Sequence, residues 1–168
     1  DVYKRQDAEA LWSGIYVYGD DNGGVVGDYV KVTGYVDEYY GLTEINYALG
    51  EFSVTHLGSA MTFEPLPVAT GDLGTSCNVG GEAYEGVLVS VSDAEITSTA
   101  NAYGEIAIDD GTGTTQLEDG VHDTDYYLEN VVFCSSEYDY TGVVISSVQG
   151  VVRYAYSSYE IHPVSADD

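Results

Sequence analysis

Apolar and polar residues alternate along most of this chain, which is the pattern of half-buried β-strands. No window keeps apolar residues at helical spacing, so the sequence predicts little helix. Gly- and Asp-rich segments separate the alternating runs, as turns do. The sequence therefore predicts an all-β protein, with strands at residues 14–19, 27–41, 42–48, 52–58, 84–98, 102–109, 115–119, 142–158 and 159–164.

One pattern occurs twice, 116 positions apart: VTGYVDEYYGLTEI (32–45) and VQGVVRYAYSSYEI (148–161) keep Val, Gly, Val, Tyr, Glu and Ile in register. A Gly inside a strand permits a bulge or a sharp bend, which a small barrel needs. A looser match pairs residues 14–24 with residues 104–114. The repeat predicts two similar small β-barrels in tandem.

The longer stretch GDYVKVTGYVDEYYGLTEI (27–45) resembles the OB-fold domains attached to secreted bacterial nucleases. The segments LPVATGDLG (66–74) and GEAYEGVLVSVSDAEIT (81–97) resemble the join into a second such domain. The resemblance implies two OB-like barrels. The predicted boundaries are residues 12–61 for the first domain, 62–83 for a Gly-rich linker and 84–168 for the second domain. An OB barrel has five strands, and the first copy lacks, before Trp12, the strand that the second has at 84–97. That strand is therefore expected either upstream of this sequence or from another molecule.

The first residues, DVYKRQ, resemble the translated read-through of a sequencing adaptor at the end of a metagenomic contig. Residues 1–11 are therefore interpreted as an artefact or as an arm that contacts a partner. On this interpretation the natural chain continues upstream, where any signal peptide would lie.

Acidic residues dominate the charge: 29 Asp and Glu stand against four Lys and Arg, a formal net charge of -25. Nucleic-acid binding is not expected, because a groove that follows phosphates needs many basic side chains. No apolar run is long enough for a membrane span. Cys77 and Cys134 predict a disulfide and hence a secreted protein, with two separate buried thiols as the alternative.

Two kinds of binding residue stand out. Paired carboxylates in two predicted turns offer the oxygen ligands that calcium prefers, although Asp is also an ordinary turn residue; these are Asp20, Asp21, Asp109 and Asp110, and Asp119, Asp123 and Asp125 form a third acidic group. Tyrosines of the repeat predict an aromatic surface for carbohydrate or a neighbouring subunit, with packing across strands as the alternative; these are Tyr35, Tyr39, Tyr154 and Tyr156.

No catalytic set is recognisable. A metal-dependent nuclease needs clustered carboxylates with a His or Lys that activates water, and His56, His122 and His162 stand in unrelated contexts with no second His nearby. The sequence therefore predicts a protein that is not an enzyme.

Three functions fit these features. The first is a secreted structural subunit that self-associates into an extracellular filament by strand exchange or end-to-end barrel packing, stabilised by calcium and carrying O-linked sugar on its many Ser and Thr residues. The second is an accessory module of a secreted nuclease or other hydrolase. The third is a carbohydrate-binding or adhesion module. The acidity and the missing catalytic set favour the first.

Overall fold

The computed structural model describes residues 2–6, 10–19, 25–59, 63–74, 80–101, 104–118 and 139–163, with residues 2–6 described by their backbone alone. The predicted disulfide, the acidic turn at Asp20 and Asp21, the third acidic group and His122 lie outside these ranges. Twelve strands and one short helix run through the described residues. No helix in the described ranges is long and apolar enough to cross a membrane.

The strands in chain order are β1 Val2–Gln6, β2 Gly14–Tyr18, β3 Asp28–Thr33, β4 Tyr35–Tyr39, β5 Leu42–Asn46, β6 Ser53–Ser59, β7 Leu66–Pro67, β8 Leu88–Ile96, β9 Ile106–Asp109, β10 Thr114–Leu117, β11 Val144–Ala155 and β12 Ser158–Pro163. The helix, α1, is Thr70–Leu73, and short 3₁₀ turns occupy Tyr47–Leu49 and Gly81–Tyr84. The predicted all-β class is confirmed.

Five strands of the C-terminal half close into a barrel in the order β8-β9-β10-β12-β11, and β11 pairs again with β8. The β10–β12 pair is parallel and the other barrel pairs are antiparallel. The inward residues form one core that includes Val89, Ile108 and Ile161. A closed, five-stranded barrel fits the OB-fold expectation.

The segment predicted as a linker contributes to this barrel. β7 pairs in parallel with β8, and Val68 and Leu73 are buried in the core cluster. α1 lies against the turn between β9 and β10. Apolar residues at these positions therefore cover the barrel rather than spacing two domains.

The N-terminal half is built from the same kinds of pair but does not close within the described residues. Four strands form a sheet in the order β1-β2-β5-β4, in which β2 and β5 are parallel. β3 and β6 form a separate antiparallel pair. A second closed barrel is therefore still a prediction.

The repeat is reproduced residue by residue in the strand pairing. In the first hairpin Val36 pairs with Ile45, and 116 positions later Val152 pairs with Ile161. All five residue pairs of β4–β5 recur in β11–β12 with this shift. The looser match of 14–24 with 104–114 is wrong in register, because it aligns β2 with β9. The pairing shows that β2 is the counterpart of β10, since β2 pairs in parallel with β5 as β10 pairs in parallel with β12.

β6 takes the place along β3 that β8 takes along β11. Lys31 pairs with Thr55 on β6, and its counterpart Ser147 pairs with Ser92 on β8, both antiparallel. The position of the first barrel strand is thus filled in the N-terminal half by a segment that follows the hairpin. Sequence order hid this arrangement, because the prediction sought that strand before residue 12.

The repeated glycine has the same steric role in both copies. A Cβ on Gly150 would lie 2.5 Å from the His162 carbonyl oxygen and 2.5 Å from the Ile161 side chain. A Cβ on Gly34 would lie 2.6 Å from the side chain of Ile45, the counterpart of Ile161. The strand crosses closely over its partner, as predicted for a bend in a small barrel.

We expect Gly150→Ala to lower the free energy of unfolding by about 2 kcal/mol or more, because the added methyl meets a backbone carbonyl that cannot move aside. Urea denaturation of Gly150→Ala and of Ser147→Ala, an exposed position on the same strand, provides the comparison. Equal stability of the two variants would contradict this packing argument.

Candidate functional site

The two halves meet along a seam of direct backbone contacts. The Thr43 N–H donates to Glu85 Oε1 at 2.8 Å, and the Trp12 N–H donates to the Ala83 carbonyl at 2.7 Å. Gly14 and Gly86 touch, since a Cβ on Gly14 would lie 2.1 Å from the Gly86 carbonyl carbon. Both glycines are therefore required for the seam to close.

An arginine of the barrel reaches across this seam. The Arg153 guanidinium carbon lies 5.5 Å from the centre of the Tyr16 ring, within the range of a cation–π contact. Its positive charge also acts to lower the pKa of Glu44, although burial of that carboxyl raises the pKa overall. Glu44 is buried and accepts a hydrogen bond from the Asn46 amide at 2.7 Å.

Glu85 is the buried acid of the seam. Glu85 is 7% exposed, and its Oε2 has no hydrogen-bond partner among the described residues. Burial raises the pKa of the Glu85 carboxyl to about 7, with the Thr43 N–H opposing the rise and the charges of Glu82 and Glu38 adding to it. The seam therefore contains a group that titrates near neutral pH.

We expect the free energy of unfolding to fall as pH rises from about 4.5 to about 7. The folded state holds the Glu85 proton more tightly than the unfolded state, so folding is favoured at the acid end and loses up to about 3 kcal/mol at the alkaline end. Glu85→Gln keeps the acceptor for Thr43 and removes the charge. It should be about 2 kcal/mol more stable than the wild type at pH 8 and equal to it at pH 4.5.

Denaturant titrations at both pH values test this expectation. Glu95→Gln, at an exposed position of β8, is the matched control. The same pH response in Glu85→Gln and the wild type would show that other carboxylates dominate.

A second buried polar group lies at the equivalent place on β12. Glu160 and His162 are the repeat counterparts of Glu44 and Asn46, and they are 2% and 1% exposed. His162 Nε2 lies 3.7 Å from Glu160, and His162 Nδ1 lies 2.9 Å from Glu118 but outside hydrogen-bonding geometry. Burial raises the pKa of Glu160. Within the described ranges no group of three His, Cys, Asp or Glu could hold a metal ion.

The described calcium candidates, Asp109 and Asp110, form the turn between β9 and β10. Asp109 accepts hydrogen bonds from the N–H groups of Gly111 and Gly113. Asp110 accepts from Thr112 and from both the N–H and the hydroxyl of Thr70, which fastens α1 to the turn. Their carboxylate oxygens are thus engaged by turn donors, and calcium at this turn is still a prediction.

These bonds have an electrostatic consequence. Burial acts to raise the pKa of Asp110, but hydrogen bonds from Thr112 and Thr70 outweigh it and lower the pKa to about 2. The ionised form therefore stabilises the folded state above the unfolded value of 3.8, and this contribution is lost as pH falls towards 2.

We expect Asp110→Asn to cost about 1 kcal/mol at pH 7, a value reduced for solvent screening, and to cost nothing near pH 2. Thermal melts with and without chelator separate the two interpretations of this turn. A wild-type melting temperature that drops on adding chelator, with Asp110→Asn insensitive to it, would indicate calcium rather than turn hydrogen bonds alone.

The candidate tyrosines do not share one environment. Tyr35 and Tyr39 on β4 are each 56% exposed, and Tyr156 is 88% exposed. Tyr154 instead packs against the Tyr159 ring at 4.8 Å and covers Gly41 across the seam. Packing explains Tyr154, while the exposed rings are available for contact with another molecule.

Both repeated hairpins end in a two-residue turn with a tyrosine in the left-handed region. Tyr40 and Gly41 have φ of 52° and 93°, and Tyr156 and Ser157 have φ of 46° and 72°. Two positive φ values define the turn that matches the twist of the strands. Gly41 adopts its positive φ without a Cβ penalty, and Tyr40 is 87% exposed at the tip.

Exposed apolar side chains are concentrated in the N-terminal half. Of the sixteen large hydrophobic residues that are exposed in the described ranges, thirteen lie between residues 11 and 57, including Trp12, Val26 and Leu57. Of the nineteen hydrophobic residues that are buried in those ranges, sixteen lie from residue 68 onwards. The closed barrel thus has the core, and the open sheets have the apolar surface, which together with their edges forms the candidate assembly surface.

Sequence reasoning missed Glu85 and treated Glu44 and Glu160 only as markers of the repeat. Glu44 lies at a buried position of β5, whose burial alternates, while β12 is buried at every position including Glu160, so the local sequence pattern did not mark either carboxyl as buried. Nothing local marks Glu85, because its burial results from contact between the halves.

Comparison with known proteins places the chain in a family. No curated protein matches it. The family model DUF8508, described as a domain of unknown function, matches residues 81–167. This range is just over half of the 168 residues and includes β8 to β12, the whole closed barrel. The chain therefore belongs to the DUF8508 family.

Proposed function

We propose that this protein is a secreted, non-catalytic structural subunit that assembles with copies of itself into an extracellular filament. The observation that carries the proposal is the contrast between the halves in the described residues: thirteen exposed large hydrophobic residues against three buried hydrophobic ones before residue 60, and three exposed against sixteen buried from residue 68 onwards. Large apolar patches on a soluble surface are typical of protein–protein contacts.

The physical reason for assembly is the unburied surface of the N-terminal half. Burying one large apolar side chain stabilises a contact by roughly 1.5–3 kcal/mol. Several such residues lie on or beside strands with an unpaired edge, including Tyr29 on β3 and Leu57 on β6. A neighbouring copy can bury these residues and complete the hydrogen-bonding of the edges together.

The proposal includes the finer expectations of the sequence. The N-terminal half is the second OB-like barrel, and it closes only when another chain adds to it. Copies with a formal net charge of -25 repel one another. High ionic strength, or calcium bound at the acidic turns, reduces this repulsion. The disulfide and O-linked sugar suit the same exported setting.

Carbohydrate binding is the second candidate. Tyr35 and Tyr39 are the first and last residues of β4, on the same face of the strand, and each is 56% exposed. Their rings are therefore accessible to a sugar. Assembly is preferred because it also accounts for the exposed aliphatic residues, which a sugar platform does not require.

The proposal is tested by the state of the purified protein. We expect the wild type to be monomeric at low ionic strength and to form filaments, seen by negative-stain electron microscopy, as salt or calcium is raised. Light scattering against concentration measures the threshold. A chain that stays monomeric across salt, calcium and concentration would contradict the proposal.

A further inference from the structure

We infer that β6 of one copy pairs with β1 of a second copy, so that the subunits join head to tail. The inference rests on the proposed function and specifies its joint. It follows from comparing the two halves of the chain strand by strand, and from the chemistry of the β6 edge.

The first step is a missing pair. In the closed barrel β8 is bonded on one side to β11 and on the other to β9, through Glu95–Asp109 and Ile96–Ile108. β6 occupies the place of β8, and among the strands that the structure describes its ladder partner is β3, while that of β1 is β2. Within the described residues, the N-terminal half therefore lacks the ladder that closes the barrel.

The second step is which strands could supply that ladder. β1 pairs antiparallel with β2, and β2 pairs in parallel with β5. In the closed barrel β9 likewise pairs antiparallel with β10, and β10 pairs in parallel with β12. β1 is thus the counterpart of β9, the natural partner of the strand at the β6 position. Pairing of β1 with β6 uses backbone hydrogen bonds, so it requires only that an extended segment lies beside β2.

The third step is the character of the β6 edge. Natural edge strands are protected by Lys, Pro, inward charges or bulges. β6 reads SVTHLGS and has no Lys, Arg, Asp, Glu or Pro. Its described interruptions are an irregularity near Leu57, which leaves Ser53 to His56 in regular pairing with β3, and a contact of 3.2 Å between His56 Nδ1 and Asp28 on β3. Most of β6 is exposed.

The fourth step is electrostatic. No acidic residue occurs from Phe52 to Phe63, so repulsion between highly acidic copies is weaker at this edge than over most of the surface.

Symmetry then decides the product. Pairing of β6 with β6 of a second copy is self-complementary and ends at a dimer. Pairing of β6 with β1 uses two different edges and leaves one of each free at the ends, so it continues into a filament. The inferred joint is therefore the one that agrees with polymer growth.

A lysine placed on the edge tests the joint. Thr55→Lys and Ser53→Lys each put a charge on β6. Thr55 pairs with Lys31 on β3, whereas Ser53 pairs with the uncharged Thr33, so Ser53→Lys places no second lysine opposite the first. Ser92→Lys on β8 is the matched control, because Ser92 is exposed but its strand is already paired. We expect the two β6 variants to raise the concentration needed for filaments by about tenfold or more, and Ser92→Lys to leave it unchanged. Near-ultraviolet circular dichroism verifies that each variant is folded.

A mixing experiment tests the direction of growth. Thr55→Lys keeps its β1 edge, so a small proportion added to wild type should cap filament ends and shorten the filaments seen by electron microscopy. Filaments of unchanged length, or β6 variants that assemble like Ser92→Lys, would each overturn the inference while leaving filament assembly intact. Closed dimers only would overturn both the joint and the filament. Wild type that never assembles would instead refute the proposed function, and the joint with it.

Discussion

The ladder between β8 and β11 turns a sheet into a barrel, and most other features of the structure depend on that closure. Through it the inward residues of five strands face one another, so that Val89, Ile108 and Ile161 are removed from water. The N-terminal half has the same hairpin and the same parallel pair, but its β3–β6 ladder is not continued to β1 in the described residues. Its hydrophobic residues stay exposed for that reason.

The buried carboxyl groups in the described part of this acidic protein lie beside polar partners. Glu44 and Glu160 occupy the same position of the repeated strand, one beside Asn46 and the other beside His162. Glu85 is buried where the halves meet and is bonded to Thr43. Removing a carboxylate from water is costly, so such sites favour one arrangement of the chain over others at the expense of stability. The seam is consequently sensitive to pH.

Much of the local structure was predictable from the residues. The alternation gave the strands, and the repeat gave the register of both hairpins, with Gly34 and Gly150 at the crossing points. The role of Asp110 was only half visible, because a paired acidic turn is compatible with calcium and with turn hydrogen bonds alike. Thr70, which donates to it from 40 positions away, has no signature in the sequence.

The sequence by itself determined the all-β class, the repeated hairpin and the places where only glycine fits, because these depend on alternation and on contacts between neighbouring strands. Only the tertiary structure decided that β6 stands in the place of β8, that Glu85 is buried, and that one half closes while the other exposes its apolar residues. Those outcomes depend on which distant segments share an edge. Many segments of this chain have the same strand pattern, so backbone hydrogen-bonding alone does not distinguish one partner from another.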